Sequence, residues 1–210
     1  MQYVVKSLSV FCGSCMGFDD HYRKMAENLG VMLAQKDIKL IYGGSNIGLM
    51  RILADSVLDN DGQVVGIMPS ILIDKNVSYN RISQLIKCDT MSERKNMMIE
   101  MSDAFVALPG GFGTMDEITE VLTHHQLNSM SKPLVLLNID HFYDNFMAHI
   151  DLCVEKGFVR TEHRDNIIVV DNLETMFERL YSYHPVYVEN KWVDKIIENT
   201  NYIINQKKEK

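Results

Sequence analysis

The stretch from Ala104 to Glu120 limits the folds open to this chain more than any other. Ala104-Phe105-Val106-Ala107-Leu108 is an apolar run too short for a helix and bounded by Pro109, so it reads as a buried strand. Pro109-Gly110-Gly111-Phe112-Gly113 follows, a turn in which three positions lack a Cβ and the backbone can approach a ligand closely. Thr114 is the expected N-cap of a helix carrying Met115, Ile118, Val121 and Leu122 on its apolar face. A strand, a glycine turn and a helix start form an anion-binding device, because free N–H groups and the helix dipole both favour a phosphate. Glu117 falls one turn into the helix, near enough to do chemistry beside the bound anion. The stretch points to an enzyme that handles a nucleotide.

The rest of the chain repeats this alternation. Ser7 to Phe11 is a strand, turned by Cys12-Gly13-Ser14-Cys15 into a helix that Asp19 or Asp20 can cap. Tyr22, Met25, Ala26, Leu29, Met32 and Leu33 recur along that helix at helical spacing. Lys39 to Tyr42 is the second strand, and Gly43-Gly44-Ser45-Asn46-Ile47-Gly48-Leu49-Met50 is a second glycine turn opening a helix. Val64 to Met68 is the third strand, ended by Pro69. A polar stretch from Asp74 to Gln84, a short apolar piece around Ile86 and a helix from Met91 to Ser102 precede the strand at Ala104. Pro133 to Leu137 is a fifth strand, Phe142 to Lys156 a helix and Ile167 to Val170 a sixth strand. Leu173 to Tyr183 and Trp192 to Asn205 close the chain as helices, with a frayed tail from Lys207 to Lys210. The expected fold is α/β: one doubly wound, Rossmann-like, mainly parallel sheet with helices on both faces. The expected catalytic domain spans residues 1–184, with 185–210 as a helical extension. Ligands of such sheets bind at the carboxyl ends of the strands, near the point where strand order reverses. The three glycine turns at 12–15, 43–48 and 109–113 all fall on that edge.

Composition narrows the partners. A formal net charge of -7 over 210 residues argues against nucleic-acid polymers or anionic membranes as main partners, while leaving room for a small phosphate in a local site. No signal peptide is evident in the first ten residues, and no apolar run approaches the ~20 residues a membrane span needs, so a cytoplasmic protein is expected. Cys12-Gly-Ser-Cys15 has thioredoxin-like spacing. A redox pair would leave the other two glycine turns unexplained, so both cysteines read as small residues of a tight βα turn. No metal site is expected: His124 and His125 are adjacent and point in different directions on a helix. Gly43 to Gly48 has P-loop spacing, but Leu49 stands where the phosphate-binding Lys belongs, and the dinucleotide fingerprint is absent from all three turns.

Pro109-Gly-Gly-Phe-Gly-Thr-Met-Asp-Glu117 resembles the PGGxGTxxE signature of the LOG family. Cys12-Gly-Ser, Tyr42 to Met50, Met91-Ser-Glu-Arg-Lys95 and Lys132 to Asn138 are similar to LOG segments in the same order, so the resemblance spans roughly residues 7 to 180. It departs at Phe112, where members often carry Tyr, and near Asn76, where members often carry an acidic residue. The resemblance implies a cytokinin riboside 5′-monophosphate phosphoribohydrolase, bacterial members of which also cleave AMP, working without a cofactor. It also implies a homodimer with the site beside the subunit interface. Arg94 and Glu117 are the implied catalytic pair. The expected substrate contacts are Gly13, Ser14, Gly43, Gly44, Lys95, Leu108, Gly110, Gly111, Phe112, Gly113, Thr114, Met115, Asp116, Glu120 and Thr123.

The residues also allow plainer readings. Thr114-x-x-Glu117 has the form of a capping box, in which the Glu would satisfy only the N-cap N–H, and Thr90-x-x-Glu93 is a second such box. Arg94 shares a helix face with Met97, Met98 and Met101, so it either pairs inward or reaches out from the edge. Glu117, Glu120 and His124 share one stripe; Glu120 could orient Arg94 or a ribose hydroxyl or join a structural ion pair, and His124 reads as an interfacial or core histidine. In the expected mechanism the phosphate docks on Gly111, Gly113 and Thr114, and Glu117 stabilises an oxocarbenium-like state and activates water. Arg94 fixes the phosphate or ribose and holds Glu117 ionised, since a nearby cation lowers a carboxylate pKa. The competing reading is a nucleotide or molybdenum-cofactor carrier of the same fold; a pyridoxal-phosphate decarboxylase lacks motif support around any lysine.

Overall fold

In the computed structural model, residues 2–75 and 77–186 are described, together with 197, 198, 200, 201 and 204. Through residue 181 the elements follow one another as β1 (Ser7–Phe11), α1 (Asp20–Gln35), β2 (Lys39–Tyr42), α2 (Gly48–Leu58), β3 (Val64–Pro69), α3 (Ser70–Ile73), β4 (Gln84–Cys88), α4 (Met91–Glu100), β5 (Ala104–Ala107), α5 (Phe112–Gln126), β6 (Leu134–Leu137), a 3-10 turn (Ile139–His141), α6 (Asp144–Glu155), α7 (Thr161–Asp165), β7 (Ile168–Val170) and α8 (Leu173–Tyr181). The strands form one sheet in the order β4-β3-β2-β1-β5-β6-β7, and every pairing is parallel. Order reverses between β1 and β5, so the turns after these two strands flank the crevice where such sheets bind ligands. Backbone bonds tie the turns together: Gly13 N–H donates to Pro109 O at 3.1 Å, and Leu108 N–H to Phe11 O at 2.9 Å.

The inner strands are mostly apolar because both faces of the sheet are covered. Leu8 and Val10, Leu40 and Tyr42, Val106 and Leu108 alternate onto the face packed by α1, α2 and α8, where Leu29, Leu33, Leu53, Val57, Met176 and Leu180 are buried. Phe11, Ile41, Ile67, Phe105, Ala107 and Leu136 point the other way, onto Met98 of α4, Ile118 and Val121 of α5 and Met147 of α6. Tyr143 is fully buried on this second face and donates its hydroxyl to Leu108 O at 2.7 Å, fixing the end of the β5 segment just before its turn.

Several elements differ from what the sequence pattern predicts. The apolar piece around Ile86 is a seventh strand, β4; it lies at the sheet edge with Gln84 and Lys87 exposed, which hid its alternation. The helix expected over Phe142 to Lys156 starts at Asp144 after a 3-10 turn, because Asp140 and His141 take positive φ angles of 50° and 60°. The short helices α3 and α7 had no periodic signal. Asn76 and most of the expected Trp192–Asn205 helix and tail lie outside the described residues; Ile197, Glu198, Thr200, Asn201 and Ile204 are helical.

Gly48 opens α2 at φ +60°, and a Cβ there would stand 2.2 Å from the Ser14 carbonyl carbon. Only glycine meets both demands, the left-handed backbone and the contact with the β1 turn. Gly48→Ala is therefore expected to cost about 2 kcal/mol, lowering the melting temperature by roughly 4–8 °C. An unchanged thermal midpoint would contradict this account.

Candidate active site

Helix α5 begins earlier than the sequence suggests. Its N-cap is Gly111, not Thr114, and Met115 N–H donating to Gly111 O at 3.1 Å is the first backbone bond of the helix. Phe112, Gly113 and Thr114 therefore occupy its first turn, whose N–H groups have no partner within the helix. Thr114 is buried and its Oγ1 packs back on the turn, where a Cβ on Gly110 would lie 2.1 Å away. The Cβ directions of Gly111 and Gly113 meet nothing within 4 Å, so these two glycines leave the first turn open to a ligand. With Thr114 three residues inside the helix, Thr114-x-x-Glu117 is not a capping box. The second box does form, with a shift: Glu93 N–H donates to Thr90 Oγ1 at 3.0 Å, and the Glu93 carboxylate accepts from Asp89 N–H at 2.8 Å. That cap fixes the start of α4, and Lys132 Nζ donates to Ile99 O at 2.7 Å near its end.

Held in this way, α4 aims Arg94 inward. Its Nη1 is 2.9 Å from Glu117 Oε1 and its Nε donates to Ile67 O at 3.2 Å; both side chains are buried. Gly43 makes room for the guanidinium, since a Cβ there would sit 2.2 Å from Nη2. Burial raises the Glu117 pKa from 4.5 to about 6, with Arg94 opposing the rise. The expectation that Arg94 keeps this carboxyl below its ordinary range is thus corrected: loss of hydration outweighs the cation. At neutral pH the group is still mostly ionised.

A cavity of about 370 Å³ opens over this pair. Of the expected residues it gathers Gly13, Ser14, Gly43, Arg94, Gly111, Phe112, Gly113, Thr114 and Glu117. Gly44, Leu108, Gly110, Met115 and Thr123 do not line it. Neither do Lys95, Asp116 and Glu120, for a visible reason: Lys95 Nζ bonds Asp116 Oδ1 at 3.0 Å and Glu120 Oε2 at 2.8 Å on the outer side of the buried pair. Glu120 thus sits in an ion pair, one of the roles its spacing left open. His124 meets Ser129 Oγ at 2.8 Å, also away from the cavity.

Sequence reasoning missed the far wall: Cys12, Ser45, Ile47, Met50, Met68, Leu72, Lys75 and Val77. Ser45 to Met50 lay within a recognised turn and could have been found there; Lys75 and Val77 come from a polar stretch without periodicity. Cys12 and Cys15 are free thiols, and burial pushes the Cys12 pKa up, as suits an inert wall residue.

The family model described as "possible lysine decarboxylase" matches residues 50–180. A probable cytokinin riboside 5′-monophosphate phosphoribohydrolase of Oryza sativa subsp. japonica is 38% identical over 181 residues, 86% of this chain and 80% of its own. A cytokinin riboside 5′-monophosphate phosphoribohydrolase of Arabidopsis thaliana is 37% identical over 192 residues, 91% of this chain and 89% of its own. Among solved structures, the molybdenum cofactor binding protein of Rippkaea orientalis superposes with a TM-score of 0.65 at 22% identity, covering 84% of this chain and 95% of its own. The Moco carrier protein of Chlamydomonas reinhardtii gives 0.62 at 20%, covering 83% and 96%. These two share the fold.

A carboxyl whose folded pKa exceeds its unfolded value binds its proton more tightly in the folded state, so it adds stability below the unfolded pKa that is lost as pH rises through the folded one. For Glu117 that window runs from 4.5 to about 6. Across it, wild type should lose about 2 kcal/mol relative to Glu117→Gln, measured as unfolding free energy against pH. Parallel curves for the two proteins would show that burial does not govern this carboxyl.

Proposed function

The chain belongs to the LOG family of cytokinin riboside 5′-monophosphate phosphoribohydrolases, and we infer that it hydrolyses the N-glycosidic bond of a purine or cytokinin nucleoside 5′-monophosphate, releasing free base and ribose 5-phosphate. The observation that carries this reading at the level of the site is the buried Arg94–Glu117 pair at 2.9 Å beneath a cavity edged by the open first turn of α5. The 5′-phosphate docks on the N–H groups at Gly113 and Thr114, where the helix dipole favours an anion. This anchors C1′ of the ribose over Glu117. As the bond between C1′ and the base nitrogen breaks, positive charge grows on the ring, and the Glu117 carboxylate stabilises it. The same carboxylate then takes a proton from the water that attacks C1′, while the base leaves with the bonding pair; the net change adds water across the bond, hydroxyl to C1′ and one proton to the base, and leaves Glu117 as it began. A base with a pKa near the working pH suits that transfer. Arg94 positions Glu117 and keeps its pKa from rising further.

The likeness to molybdenum cofactor proteins concerns fold at 20–22% identity, whereas relatives at 37–38% identity over most of the chain are hydrolases, which favours hydrolysis over carriage. We also propose a homodimer: half-buried Met97, Met101, Met115 and Leu122 on α4 and α5, beside exposed Thr123, support a second subunit covering the outer side of the site. Among the described residues no helix is long and apolar enough to cross a membrane, and a cytoplasmic location is proposed on the acidic composition. Residues 1–184 are proposed as the catalytic domain, with 185–210 appended to it.

Glu117→Gln should reduce adenine release from AMP by at least about 100-fold with the fold intact, read by chromatography. In wild type, kcat/KM should fall about tenfold per pH unit below an apparent pKa near 6. Arg94→Ala removes the cation opposing desolvation, so any residual activity should show that limb at higher pH. Full turnover in Glu117→Gln would exclude the carboxylate from the reaction.

A further inference from the structure

A phosphate monoester brings close to two negative charges, and a helix N-terminus supplies the equivalent of only about half a positive one. Arg94 does not make up the difference. Its Nη1 is held by Glu117, its Nε by Ile67 O, and Nη2 lies against Gly43, so its charge is already offset by a carboxylate in the same site. Lys95 is engaged by two carboxylates outside the cavity. The chain as a whole is acidic at -7, which weakens the pull on an anionic ligand further. One cation remains among the described residues lining the cavity. Lys75 is exposed, faces the same space as Gly111, Gly113 and Thr114, and forms no ion pair with any described residue.

The segment carrying Lys75 is fastened nearby. Val77 O accepts from Asn46 N–H at 2.8 Å, Tyr79 N–H donates to Gly44 O at 3.0 Å, and Ser45 and Ser78 form an antiparallel bridge. The Tyr79 hydroxyl bonds Asp55 of α2; Arg81 reaches Asp55 at 3.1 Å and Asp59 at 3.0 Å. The Lys75 N–H itself donates to Leu72 O at 3.1 Å, and its exposed side chain is long enough to reach a ligand in the cavity.

We propose that Lys75 is a phosphate-binding residue of this site, contacting the substrate 5′-phosphate from the β3–β4 side while the first turn of α5 holds it from the other. It compensates the charge that α5 and Arg94 leave unmatched. The proposal rests on the nucleoside monophosphate reading above and adds to it a residue that sets preference for the phosphorylated substrate over the nucleoside.

The test compares wild type with Lys75→Met, which keeps the length and removes the charge, and Lys75→Arg, which keeps the charge. With AMP as substrate, Lys75→Met should raise KM roughly 10- to 100-fold with kcat within about threefold, the size of one lost charge-assisted hydrogen bond, and Lys75→Arg should restore most of the loss. Inhibition by ribose 5-phosphate should weaken by the same factor, and inhibition by adenosine, which lacks the phosphate, should not change. Unaltered KM in Lys75→Met, a parallel loss of adenosine inhibition, or failure of Arg to restore binding would each overturn the assignment. If wild type releases no base from any monophosphate, the hydrolase reading fails separately. Calorimetry with ribose 5-phosphate then decides about Lys75: weaker binding to Lys75→Met than to wild type supports it, and equal or absent binding to both refutes it.

Discussion

The Arg94–Glu117 ion pair is the interaction on which the rest of this architecture turns. Taking a carboxylate and a guanidinium out of water costs several kcal/mol per ion, and their attraction repays that only when geometry is good and the remaining hydrogen bonds are met. Arg94 meets these conditions in part, with Glu117 at 2.9 Å and Ile67 O at 3.2 Å. The balance still leaves Glu117 at a pKa of about 6, which means that desolvation has the larger hand. A pair of this kind is a poor device for stability and a good one for chemistry, because a carboxylate short of hydration has much to gain when positive charge develops beside it. The surrounding fold reads as the apparatus that makes this cost bearable: α4 secured at both ends, a glycine cleared for the guanidinium, and an all-parallel sheet that delivers Ile67 O from the adjacent strand.

Glycines in this site do different jobs, which the motif alone does not separate. Gly43 and Gly110 are crowded, one by Arg94 and the other by Thr114 Oγ1 and Gly13 N, so they let parts of the site approach each other. Gly111 and Gly113 have nothing near them and leave the first turn of α5 open to a ligand. Substitution should therefore fail for opposite reasons in the two sets, by steric collapse of the pair and by obstruction of the ligand.

Local pattern reached the elements whose signal is local. Six strands were legible as short apolar runs, and the inward aim of Arg94 and Glu117 was legible as a choice between two readings. Edge strand β4 was not, since one row of neighbours leaves Gln84 and Lys87 free to be polar. The start of α5 was misplaced because glycine disfavours helix, so Phe112 and Gly113 looked like turn; the packing of Thr114 against Gly110 overrides that preference. Nor could spacing tell that Lys95 closes on Glu120 rather than on substrate, as the two are 25 positions apart and meet only when α4 lies beside α5. The sign of the Glu117 shift was lost for the same reason: charge is written in the sequence, whereas burial is a property of the assembled fold.

The arrangement along α4 and α5 then explains why neighbouring cations have different duties. Arg94 meets Glu117 on the cavity side, and one residue on, Lys95 meets Asp116 and Glu120 on the outer side. The outer cluster is partly exposed, so it contributes little to stability taken singly. Its position is what counts: Lys95, Glu120, Ile99 and Phe11 surround the back of Glu117, and Lys95 adds a small downward pull on its pKa. Water is thereby kept from the rear of the carboxylate while the front faces the cavity. A side chain hydrated from both sides would lose the very desolvation that sets its pKa near 6, so the outer lysine serves the reaction by holding a wall in place.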